Sequence, residues 1–200
     1  MKKFFASLWF RCISTLFIII CFSGCSLSIL SDVLYVSSQE RTDRAIKKIY
    51  GEVQLYNTVL DGEIDETINY DFGFIDKIYE VQVSENESYL LFKSTGNQGY
   101  KGGTISLWIS VAENEHGTLS IKKVILDGYN KQTLMSKLTS SFYGNYNLTD
   151  VTSAYENGEL FTTDVNTPNS NPITGATKSA NAANNAVNCV ITYLGENYED

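Results

Sequence analysis

Residues 77–128 alternate between apolar and polar side chains with a period of two, and this limits the fold more than any other feature of the chain. In "KIYEVQVS" (77–84), Tyr79, Val81 and Val83 stand against Ile78, Glu80 and Gln82. "YLLFKST" (89–95) follows the turn-forming Asn86, and "GTISLWISVA" (103–112) sets Ile105, Leu107, Ile109 and Val111 on one face with Trp108 on the other. "GTLSIKKVILDG" (117–128) alternates Leu119 and Ile121 with polar residues before Val124, Ile125 and Leu126. Side chains two apart share one side of a strand, so the spacing predicts four consecutive strands, and short connections make an antiparallel meander the expected arrangement. The only histidine, His116, precedes Gly117 in the hairpin turn "ENEH".

Helical periodicity flanks this block. Ser37 stands three residues before Glu40, a capping-box spacing, and Ala45, Ile46 and Ile49 form a narrow apolar stripe that stops at Gly51. That predicts a helix over 38–50, a stalk or packing element. Residues 52–75 carry Asp61, Glu63, Asp65 and Glu66 among turn formers. They read as an irregular, solvated acidic segment with a short strand at 53–59; the ligand spacing of a calcium loop is missing. "NKQTLMSKLTSSFYG" (130–144) predicts a second helix, with Leu134 and Leu138 on one side. "NTPNSNP" (166–172) is a loop by composition. In the last helix Ala183, Val187, Val190, Ile191 and Leu194 fall at helical spacing, while Asn181, Asn184, Asn185 and Asn188 fill much of the opposite face. Strands, helix, loop and helix in this order predict an α+β fold.

The chain begins "MKKFFASLWFRCISTLFIIICFSGC", with a basic start, an apolar stretch and then small residues. Such an order marks an export signal. "FSGC" resembles a bacterial lipobox, with Cys25 as the lipid acceptor. Residues 12–30 carry no charge and could instead form an uncleaved anchor across a bilayer core of roughly 30 Å. Either way the remainder is expected on the extracytoplasmic face, since Lys2, Lys3 and Arg11 hold the start inside. Residues 1–24 hold those three basic residues and no acidic one, which leaves 12 basic against 23 acidic residues, a net charge of −11. This balance argues against nucleic acid as a partner. Beyond residue 25 the one cysteine is Cys189, so no internal disulfide is expected there, and with one histidine neither is a zinc site.

The last helix starts near Thr174–Lys178. A helix start presents unpaired N–H groups and the positive end of the helix dipole, which suit a phosphate. Gly175 and Ala176 keep the approach open, Thr174, Thr177 and Ser179 offer hydroxyls, and Lys178 offers a compensating charge. The same residues are also compatible with an ordinary N-cap threonine. The spacing of a Walker loop is absent.

"TGATKSANAANNAVN" resembles the flavinylation motif of the FMN-binding domain family, found in the G subunit of the Rnf complex and the C subunit of the sodium-pumping NADH:quinone oxidoreductase. Thr174, Gly175, Ala176 and Thr177 match its centre, with Asn171 at the usual Asp position, and Ser179 and Ala180 where Thr-Ser is common. Upstream, Gly99-Tyr100-Lys101-Gly102 matches a Gly-Tyr-x-Gly segment, and Gln132-Thr133-Leu134-Met135 stands where the family has Glu-Thr-Pro-Gly. The resemblance covers roughly 78–194. It implies covalent FMN, esterified to Thr177 by a Mg²⁺-dependent flavin transferase that uses FAD, with Tyr100, Thr133, Thr174, Gly175, Ala176, Lys178 and Ser179 around it. With the patterns above, the chain is expected to divide into residues 1–30 (signal with lipobox, or anchor), 31–76 (helical stalk and acidic segment) and, as the resemblance implies, 77–200 (FMN-binding domain). The function the resemblance implies is electron relay between membrane redox subunits of an ion-translocating complex. A stand-alone flavin-containing lipoprotein reductase and a non-redox surface lipoprotein are the other readings.

Overall fold

The computed structural model describes residues 13–17, 19–21, 23, 36–113 and 117–198. Two compact units are present, Met1–Asp43 and Arg44–Asp200. The larger is α+β, with an antiparallel sheet packed against helices. Cys25 and His116 lie outside the described residues. Among the described residues no helix is long and apolar enough to cross a membrane.

Helix α1 (Ser38–Tyr50) begins as its capping box predicts, with the Glu40 N–H donating to Ser37 Oγ at 3.1 Å. The sheet follows: β1 (Leu55–Asp61), β2 (Ile68–Tyr70), β3 (Gly73–Ser84), β4 (Glu87–Gly96), β5 (Thr104–Glu113) and β6 (Leu119–Asn130). Strands β3 to β6 form the expected meander, each antiparallel to the next. The acidic segment is more ordered than its composition suggests. Its two strands pair antiparallel with the same strand, β1 against Lys77–Gln82 and β2 against Gly73–Ile75. Asp61 and Glu63 face the nearly buried Lys77 ammonium at 2.9 and 3.2 Å, so these two carboxylates neutralise a buried charge rather than only solvating a surface.

Period-two alternation gives the sheet two apolar faces. Ile105, Leu107, Ile109 and Val111 point into the larger core with Ile78, Phe92 and Ile121, whereas Trp108 joins Tyr79, Val81 and Leu91 on the other side. Ala45 and Ile46, from the second half of α1, close that second face. Tyr50 continues the contact, its hydroxyl meeting Ser110 Oγ at 2.7 Å.

The helix expected over 130–144 does not form. Strand β6 runs on to Asn130, a single 3₁₀ turn occupies Met135–Lys137, and α2 is confined to Ser140–Gly144. The reason is packing: Leu138 is buried but Leu134, on the expected apolar stripe, is 41% exposed. A further short helix, α3 (Val151–Glu156), is capped by Asp150, whose carboxylate accepts from the Ser153 N–H at 2.9 Å.

Helix α4 (Thr177–Asn197) lies on the larger core. It can come this close to β4 because residue 96 is glycine. A Cβ there would run into the Ala182 carbonyl oxygen and the Ala186 amide nitrogen. The asparagine face of α4 is not a solvent face. Asn184, Asn185 and Asn188 are buried, Asn184 and Asn188 against the segment that joins β6 to α4. The Asn188 side chain donates to the Phe161 carbonyl at 2.9 Å and accepts from the Phe161 N–H at 2.8 Å, as a neighbouring strand would. Asn184 accepts from the Tyr146 hydroxyl at 2.7 Å, and Asn185 donates to the Asn97 carbonyl at 3.0 Å. Replacing Asn188 by Ala strands two buried backbone groups of Phe161; the expected cost is about 2 kcal/mol in urea unfolding. Cys189 sits beside them, and burial pushes its thiol up to about 12, which keeps it protonated and inert.

Candidate functional site

At the start of α4 the chain makes a tight turn. The Ala176 N–H donates to the Ile173 carbonyl at 3.0 Å, and Gly175, third in the turn, has φ of +75°, which favours glycine. Ala176 is the N-cap and makes no side-chain cap hydrogen bond. An N-cap threonine is therefore excluded: neither Thr174 nor Thr177 holds that position. The Thr177 hydroxyl is exposed and makes one long hydrogen bond, 3.4 Å, to the Ile173 carbonyl.

Beside this turn opens a cavity of about 410 Å³, lined by Tyr100, Thr133, Leu134 and the run Gly175–Ser179. Its volume falls within the usual range for a small-molecule site. Every residue singled out at the sequence level in this region lines it, except Thr174. That residue does not line the cavity, and its carbonyl accepts from Lys137 Nζ at 3.1 Å. Residues far apart in sequence meet here because β5 and β6 are antiparallel, with Thr104 paired to Asn130. The pairing sets the 99–103 loop beside the exit of β6, and the Gly96 contact holds α4 against both.

Three contributors were not among the candidate site residues. Leu134 supplies an apolar wall. Gln132, buried behind the cavity, bonds both Tyr100 and Ser179. Lys137 lies over Gly175 with its ammonium beside the turn. Among the features quoted for the resemblance, Asn171 and Ala180 are also accounted for. Asn171 is buried and accepts from Asn145 Nδ2 at 2.9 Å, and Ala180 is fully buried in the core.

The electrostatics of the site invert those of the whole protein. No Asp or Glu occurs in residues 88–112, 128–149 or 165–195, the three stretches that build it. Lys178 lines the cavity, Lys137 sits at the turn, Lys101 lies 5.4 Å from the Tyr100 ring centroid, and Lys131 abuts Gly103. An otherwise acidic domain thus sets Lys178 in the cavity wall, with the Lys137 and Lys101 ammonium groups beside it, a field that draws in anions. With the helix dipole and its uncapped N–H groups the site is suited to a phosphate. Among the described residues no three His, Cys, Asp or Glu side chains gather to hold a metal ion. Comparison of the chain with protein-family models and with curated proteins finds no match.

Proposed function

We propose that this protein is a membrane-anchored extracytoplasmic flavoprotein that carries FMN on Thr177 and relays electrons as a subunit of an ion-translocating redox complex. The observation that carries the reading is that Thr177, the acceptor implied by the flavinylation-like motif, is an exposed hydroxyl at an uncapped helix start, inside a cavity walled by Tyr100, Thr133 and Ser179. The residues fit such a group. The N–H groups of the first turn, Lys178 and Lys137 oppose the charge that a phosphodiester retains. Tyr100 and Leu134 give apolar surface beside it, and among the described residues no carboxylate lines the cavity to repel it. The bound flavin would supply one- and two-electron chemistry; the protein would hold and orient it and set the charge around it. A covalent bond prevents loss of the cofactor where no flavin pool is assured.

The test is coexpression of the full chain with a flavin transferase, followed by a denaturing gel and intact-mass measurement. A flavin-fluorescent band and a mass increment of one FMN are expected. A colourless band under these conditions overturns the flavin reading and leaves the non-redox surface lipoprotein. The same spectrum reports the anchor: diacylglycerol on Cys25 supports the lipobox, and an intact Met1 supports a retained helix.

A further inference from the structure

This inference rests on the flavin reading of the cavity. We propose that Gln132 is the positioning residue of that site, a neutral amide that fixes the two walls on either side of it. Gln132 is 8% exposed. Its Oε1 accepts from the Tyr100 N–H at 3.2 Å and from the Ser179 hydroxyl at 2.7 Å, and its Nε2 donates to the Asn130 carbonyl at 3.2 Å. One side chain therefore ties together the 99–103 loop, the first turn of α4 and the end of β6. Two of the residues it holds, Tyr100 and Ser179, line the cavity directly.

The partners select the side chain. They are two donors and one acceptor. A carboxylate offers acceptors only, an ammonium donors only, and a hydrocarbon neither; an amide offers both at once. The space is also specific to it, since a Cβ at Gly99 or at Gly103 would collide with Gln132 Nε2. The loop closes around the amide because both residues lack one.

Neutrality has a second consequence. Tyr100 and Lys101 on the loop, Lys131 at the exit of β6, Lys137 beyond it and Lys178 on α4 are titratable groups of the segments around Gln132, and residues 88–112, 128–149 and 165–195 contain no Asp or Glu. A carboxylate at position 132 would put a buried negative charge beside a site whose other charges are positive. It would oppose the addition of electrons to a bound flavin.

The experiment uses the full chain coexpressed with a flavin transferase, comparing wild type with Gln132→Leu, Gln132→Glu, Ser179→Ala and the Gln132→Leu/Ser179→Ala pair. Folding is followed by circular dichroism; the site is read by flavin absorption, fluorescence anisotropy and midpoint potential. Gln132→Leu is expected to lower the anisotropy and move the absorption bands toward those of free FMN. Ser179→Ala should produce part of that change and add nothing in the Gln132→Leu background, because both act through one bond. Gln132→Glu should lower the midpoint potential. If loaded, folded Gln132→Leu keeps the wild-type bands, anisotropy and potential, the positioning role is wrong and the flavin reading survives. Should Gln132→Leu fail to fold, Ser179→Ala decides alone, and unchanged bands and anisotropy there overturn the role. A wild-type chain that takes up no flavin overturns both.

Discussion

Thr177→Ala is expected to abolish the flavin-fluorescent band completely, because the bond to the cofactor is made at its oxygen. Other hydroxyls at the cavity do not replace it. Ser179 is buried and its proton is committed to Gln132 at 2.7 Å. Thr133 comes from the stretch after β6 and is not part of the helix start that carries the motif. Thr174 does not line the cavity, so Thr174→Ala should only weaken the band. Thr177→Ser keeps a hydroxyl at the same place and should keep the band. A band that persists in Thr177→Ala would refute the acceptor assignment while leaving the flavin reading in place. A band lost equally in Thr174→Ala and Thr177→Ala would point to recognition of the whole turn rather than to one acceptor.

Gly96→Ala is expected to have the largest effect on stability. The added methyl group meets the backbone of α4 at Ala182 and Ala186, and backbone within a helix cannot swing aside as a side-chain end can. Helix and sheet must separate, which exposes the core beneath them; the expected loss is about 3 kcal/mol or more in urea unfolding. Gly128→Ala is the control, since a Cβ there meets nothing within 4 Å. It should change stability by less than about 1 kcal/mol. Because Ala182 is only five residues beyond Thr177, Gly96→Ala should also disturb the start of α4 and reduce flavin loading. Equal stability of the two variants would mean that the contact at Gly96 does not set the position of the helix.

The meander was readable because burial on each face of a sheet imposes a period of two, and that period is written locally in Ile105, Trp108 and their neighbours. The last helix was readable for the same reason, at a period of 3.6. The stretch 130–144 misled because Leu134 and Leu138 have helical spacing, yet only Leu138 found a core to enter. Propensity is weak against such packing. The asparagines of α4 hold the opposite lesson. Composition marks Asn as a surface residue, but Asn188 is buried and satisfied by Phe161, a partner 27 positions away. In the acidic segment the short strand expected at 53–59 is present as β1, displaced to Leu55–Asp61, but β2 was not foreseen, because pairing with β3 is not visible in either strand alone.

At the site, the residues that line the cavity were nameable beforehand, since Thr177, Lys178, Ser179, Tyr100 and Thr133 stand in short motifs. Their convergence was not. It depends on the pairing of β5 with β6, on the Gly96 contact, and on Gln132, whose three hydrogen bonds reach residues 2, 32 and 47 positions away. Local chemistry therefore determined which groups are available, because reactivity and periodicity reside in neighbouring residues. Tertiary structure alone decided that Ala176 rather than a threonine begins the helix, that Thr177 lines the cavity while Thr174 does not, and that the Lys137 and Lys101 ammonium groups lie beside a site that Lys178 lines. Each of these is a matter of distance through space, which the order of residues along the chain does not contain.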